Sequence, residues 1–125
     1  MRNLLLINVV VLSVVLAGCA APTGPKYSWG NYDKSLYSYY KDSTKAAEYA
    51  AELEKTIQES EKTQKRVAPG IHAEYGYLLL QQGKREEAIA QFQSEKTKWP
   101  ESTYLMDSMI QVATGQQKKL AQSKE

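Results

Sequence analysis

Residues 69–102 read PGIHAEYGYLLLQQGKREEAIAQFQSEKTKWPES, and the rest of the chain is interpreted from this stretch. Pro69 and Gly70 break whatever precedes them, and proline is tolerated in a first helical turn. Ile71, Tyr75, Leu78, Leu79 and Gln82 then fall at helical spacing, so four apolar side chains share one face. Gly76 lies beside that face. A glycine inside a helix costs about 1 kcal/mol relative to alanine, and close approach of a neighbouring helix would compensate. Gly83 supplies the left-handed residue that ends the helix. A second helix opens at Lys84 or Arg85, with Glu86 and Glu87 where the helix dipole favours negative charge. Its inner stripe is Ala88, Ile89, Phe92 and Trp99. Lys96 and Lys98 lie in its last turn and Pro100 stops it. The stretch predicts two antiparallel helices folded on each other.

Gly76, Ala88, Phe92 and Pro100 stand at the spacing of a tetratricopeptide repeat, and the stretch resembles one such unit of 34 residues. His72 stands where tryptophan is usual, Tyr75 where leucine is, and Leu79 where tyrosine is. Glu95 replaces the second small residue, which counts against close packing of a following repeat. The resemblance implies a docking scaffold, with Tyr77, Leu80 and Gln81 facing its groove. An ordinary helical hairpin without repeat ancestry is the alternative.

On the N-terminal side, Ser43 to Arg66 reads as a long helix. Ala46, Ala50, Leu53 and Ile57 form its stripe, widened by Tyr49. Asp42 or Ser43 can cap its start. Glu52 with Lys55, and Glu61 with Lys65, are expected surface pairs. Before it, residues 27–42 read YSWGNYDKSLYSYYKD, with five tyrosines and one tryptophan. Leu36, Tyr39 and Tyr40 should pack on the hairpin. Trp29, Tyr32 and Tyr37 should stay partly exposed, where aromatic side chains can serve as binding anchors. On the C-terminal side, Glu101 to Thr114 reads as a further helix ended by Gly115. Leu105, Met106, Met109, Ile110 and Ala113 should form its apolar face. The expected fold is all-α, with four to five helices in a domain over residues 27–115. Residues 116–125 make a polar tail.

Residues 1–18 read as a leader. Arg2 gives a positive start, and Leu4 to Leu16 is an apolar run too short for a comfortable membrane span. Leu16-Ala17-Gly18-Cys19 then resembles the lipobox of bacterial lipoproteins. By that resemblance, cleavage leaves Cys19 as the N-terminus, carrying a diacylglycerol and an N-acyl chain such as palmitate. Two or more chains give stable anchoring. Ala20 in place of an aspartate implies the outer membrane, facing the periplasm. With two prolines and a glycine, residues 20–26 cannot form a helix, so residues 19–26 form a tether.

Composition narrows the function. The 125-residue chain carries a formal charge of +2 with acids and bases interspersed, unlike a nucleic-acid footprint. Cys19 is the one cysteine and His72 the one histidine, so neither a disulfide nor a multi-ligand zinc site is expected. If Cys19 is acylated, no thiol nucleophile remains. No motif orients His72 for serine chemistry, and no phosphate loop is present. The chain is expected to be non-catalytic, with no cofactor beyond its lipid and no small-molecule substrate.

Trp29-Gly-x-Tyr32, Leu36-Tyr-x-Tyr-Tyr-Lys-Asp42, the run Ala73 to Lys84 and Trp99-Pro-Glu-Ser102 together resemble a family of small bacterial lipoproteins without assigned activity. The likeness runs from Tyr27 to about Ile110. Members resemble this chain in having a lipobox and a repeat-like helical body. They tend to be encoded beside a lipoprotein similar to the curli secretion channel. The resemblance implies an envelope-complex component whose partner is an envelope protein, such as a neighbouring lipoprotein. The alternative is a structural envelope protein that binds peptidoglycan or glycan through its exposed aromatics.

Overall fold

The computed structural model describes residues 26–115. The leader, the lipobox from Leu16 to Cys19, most of the tether and the tail over residues 116–125 lie outside the described residues. Five α-helices are described: α1 (Tyr32–Lys41), α2 (Ala46–Thr63), α3 (Ile71–Gln81), α4 (Arg85–Lys98) and α5 (Thr103–Thr114). They stack in chain order, each on the one before it. The all-α expectation therefore holds. Its one addition is a parallel pairing of two short strands, β1 (Tyr27–Ser28) and β2 (Arg66–Val67).

The hairpin of α3 and α4 is the centre of the core. Ile71, Leu78, Leu79, Ala88 and Phe92 are buried there, joined by Leu53 and Ile57 of α2 and Met106 of α5. Burying each of the large aliphatic or aromatic side chains contributes about 1.5–3 kcal/mol. Gly76 is where the two helices meet. A Cβ on it would lie 2.7 Å from Phe92 Cε1, 2.9 Å from Phe92 Cδ1 and 3.1 Å from the Ala88 carbonyl oxygen. The propensity cost of that glycine is offset by this contact. At Gly83 (φ +78°) the chain leaves α3 through a left-handed residue. The Lys84 N–H donates to the Leu79 carbonyl and the Gly83 N–H to the Leu80 carbonyl, both at 3.0 Å. That pair of bonds is a Schellman closure.

Several details differ from expectation. Helix α2 is shorter than residues 43–66: Ser43–Lys45 is a 3-10 turn, capped by Asp42, whose carboxylate accepts from the Thr44 N–H at 3.0 Å. The other end closes at Gln64, a left-handed residue (φ 54°) without a glycine's freedom. Lys65 is thus off the helix, and among the described residues Glu61 and Lys65 form no ion pair, whereas Glu52 and Lys55 do, at 3.8 Å. Tyr40 does not pack with Leu36 and Tyr39. It is 82 % exposed, at the edge of the stripe that Leu36 and Tyr39 bury, beyond the reach of the core. Leu105 also leaves the predicted apolar face, at 58 % exposed, while Met106 and Ala113 hold α5 to the core.

Glu95 is the largest revision. As a departure from the repeat pattern it counts against close packing of a following repeat, and α5 nonetheless packs on α4. Glu95 is fully buried. Its Oε1 accepts from the Gly70 N–H at 2.7 Å, so this carboxylate of α4 closes the start of α3. Helix starts carry unpaired N–H groups and partial positive charge, and a carboxylate answers both. Burial pushes the Glu95 carboxyl above the usual carboxylate range, while the Gly70, Ala73 and His72 amides pull the other way.

Candidate functional site

The aromatic segment is knitted into the fold through its inner side. Tyr27 meets Trp99 edge-on at 5.5 Å, and the Arg66 guanidinium lies over the same indole at 4.4 Å. Trp29 leans on Tyr32 at 5.4 Å, and Tyr39 stacks on Tyr49 at 5.3 Å. Tyr32 and Tyr49 converge on Glu74 of α3. The Tyr32 hydroxyl donates to one carboxylate oxygen at 2.6 Å and the Tyr49 hydroxyl to the other. Burial, then the Glu74 carboxylate, pushes the Tyr32 phenol up to about 12, and the same causes push Tyr49 higher still. Glu74 thereby ties α1, α2 and α3 together. Sequence reasoning passed over it, since nothing at short range marks a carboxylate whose partners lie 25 and 42 residues away.

The six predicted binding residues divide. Trp29 and Tyr37 are exposed near and on α1, at 43 % and 63 %. Tyr32 is half-buried and holds Glu74. On α3, Tyr77 is 48 % exposed and Gln81 is exposed, one turn further along. Leu80 is half-buried against the core. Tyr32 and Leu80 are therefore mainly structural, and four of the six remain available to a partner. A further surface was not anticipated. Leu105, Met109 and Val112 recur at three- and four-residue steps along α5, with Leu105 and Val112 exposed and Met109 half-buried. Exposed Tyr104 adjoins them. The sequence signal was present as apolar periodicity, but periodicity cannot say which of two neighbouring stripes turns inward.

Buried polar groups are only partly paired: His72 Nε2, Glu95 Oε2 and Trp99 Nε1 have no hydrogen-bond partner among the described residues. His72 is buried, and its Nδ1–H donates to Gln91 Oε1 at 2.7 Å. Burial holds its pKa below the ordinary histidine value. Among the described residues no three His, Cys, Asp or Glu side chains are grouped to hold a metal ion. No described helix is long and apolar enough to cross a membrane. The clefts are open and shallow; one of about 250 Å³ lies between α1 and α2, lined by Asn31, Lys34, Ser38, Lys45, Glu48 and Glu52.

Residues 26–109 match the model of a family described as Domain of unknown function (DUF4810). The match covers most of the chain, so the chain belongs to that family. No curated protein matches it, and no solved structure does.

Proposed function

We propose that this member of the DUF4810 family is a lipoprotein anchored through Cys19 in the outer membrane, facing the periplasm, and that it acts as a non-catalytic adaptor or assembly factor in an envelope complex. The lipobox Leu16-Ala17-Gly18-Cys19 supports the anchor. The repeat-like spacing of Gly76, Ala88, Phe92 and Pro100, together with the glycine–phenylalanine contact between α3 and α4, supports a docking scaffold. One observation carries the adaptor reading. Tyr77 on α3 and Tyr104 and Leu105 on α5 stand exposed on a helical stack, where a partner protein can cover them.

The test is a crosslinked pull-down from envelope membranes read by mass spectrometry, with Cys19→Ser as control. Recovery of one or two envelope lipoproteins, lost in the control, is the expected result. Recovery of peptidoglycan-linked material alone would favour the second reading, a structural protein that binds wall glycan. That reading draws on the exposure of Tyr37 and Tyr40, since tyrosine rings stack on sugar faces.

A further inference from the structure

We infer that the outer face of α1 is the side of the domain that rests on the membrane, with Tyr37, Tyr40, Lys34 and Lys41, flanked by Trp29 and Lys26, lying against anionic phospholipid head groups. The inference rests on the lipid anchor at Cys19 proposed above. Lys26 lies seven residues beyond Cys19, and seven extended residues span at most about 25 Å. A domain of this size is roughly 30 Å across. The anchor is therefore shorter than the domain is wide, and the side that carries the N-terminus is held at the bilayer.

The outer face of α1, the first helix after the N-terminus, has the composition of a membrane-interface surface. Helical spacing puts Asp33, Lys34, Tyr37, Tyr40 and Lys41 on one face of α1, and all five are exposed. The inner face holds Leu36 and Tyr39, which pack on the core. Tyrosine and tryptophan favour the head-group level of a bilayer, with the ring in the apolar boundary and the polar tip in water. Lys26, Lys34 and Lys41 place three cations on and beside this surface, with Asp33 on it and Asp42 and Glu48 at its edge. The Lys26 and Lys41 ammonium groups sit over the Tyr27 and Tyr37 rings at 5.3 and 5.5 Å, so each of these cations is paired with an aromatic ring. Anionic head groups complement that charge. The short anchor makes the encounter intramolecular, so a contact too weak to recruit a free protein suffices to orient an anchored one. The exposed stripe of α5, at the other end of the stack, is then turned away from the lipid.

The experiment uses the full chain, produced with its leader, purified from membranes and placed in nanodiscs of mixed phosphatidylglycerol and phosphatidylcholine. Tyr37→Cys and Tyr40→Cys receive nitroxide labels, with Gln58→Cys and Gln93→Cys as exposed controls on α2 and α4. Cys19 is the one native cysteine, and a thioether there leaves it unlabelled. The expected result is a several-fold loss of access to a water-soluble relaxant at 37 and 40 on reconstitution, and no change at 58 or 93. Lys34→Glu with Lys41→Glu should restore access, as should pure phosphatidylcholine discs. Unchanged access at 37 and 40 in chains whose Cys19 stays unlabelled would overturn this inference and leave the anchor standing. Protection that arises only on adding purified peptidoglycan would overturn it in favour of a glycan. Labelling of Cys19 in the unsubstituted chain would overturn the anchor and this inference together.

Discussion

Replacing Glu95 probes the least expected joint in the fold. Glu95→Ala removes the acceptor that holds the Gly70 N–H at 2.7 Å and leaves that part-buried donor unpaired. Leaving a buried donor without its acceptor costs roughly 1–3 kcal/mol. The emptied side-chain volume adds about 1 kcal/mol. A total near 3 kcal/mol is a large share of the roughly 5–13 kcal/mol available to a domain of this size. It should lower Tm by roughly 12–24 °C. Glu95→Gln keeps an acceptor and most of the volume, so it should fall well short of that loss. The two acceptors also differ in their pH dependence. Burial raises the folded-state pKa of Glu95, so its favourable contribution is full below the ordinary carboxylate range and is lost as pH rises through the folded value. Glutamine does not titrate. The advantage of the native residue over Glu95→Gln should be greatest in acid and shrink toward neutral pH. Urea or thermal unfolding of both variants between pH 4 and pH 7, followed by circular dichroism, provides the assay. The capping argument is refuted if Glu95→Ala costs less than about 0.5 kcal/mol, the range of an ordinary surface change. Parallel pH profiles for glutamate and glutamine would refute the electrostatic part.

The other predictions concern packing, helix ends and titration. Gly76→Ala places a methyl against Phe92 and the Ala88 carbonyl; overpacking of about 1–3 kcal/mol should outweigh the propensity gain of about 1 kcal/mol, and Phe92→Leu in the same chain should recover part of the loss in an unfolding titration. Gln64→Gly relieves a left-handed residue at the end of α2 and should raise stability by about 0.5–1 kcal/mol, read as a Tm increase of roughly 2–8 °C. Tyr32 has its pKa raised from 10.0 to about 12, so its share of stability is full below pH 10 and lost between there and the folded value; Tyr32→Phe should flatten the alkaline fall in stability followed by circular dichroism. His72 has its pKa lowered by burial, so stability should fall as pH drops below the ordinary histidine value, and proton uptake on unfolding near pH 6 should be measurable by calorimetry.

The hairpin was readable in the sequence because its signals are local. Gly76, Gly83, Ala88, Phe92 and Pro100 each do at short range what the structure shows them doing. Tyr40 and Leu105 were misplaced for a common reason. Each neighbours a second apolar stripe on its own helix, and only the position of the next helix decides which stripe turns inward. The end of α2 was missed because Gln64 takes a left-handed conformation without being a glycine. Of the candidate binding residues, Trp29, Tyr37, Tyr77 and Gln81, read from composition and repeat spacing, are exposed. Tyr32 was not recognised as a strut, because its partner Glu74 is 42 residues away. Glu95 read as a fault in a repeat and proved to be the cap of the preceding helix. Such long-range roles leave no periodic trace.

The most direct test of the adaptor reading is photo-crosslinking from position 77 in intact envelope membranes. A photoreactive residue replaces Tyr77, the exposed aromatic of α3, and adducts are identified by mass spectrometry. The account predicts adducts with one or two envelope lipoproteins, abolished by Cys19→Ser and weakened by Gln81→Ala. Position 77 yielding no protein adduct in correctly anchored chains, while the chain co-sediments with purified peptidoglycan, would contradict it.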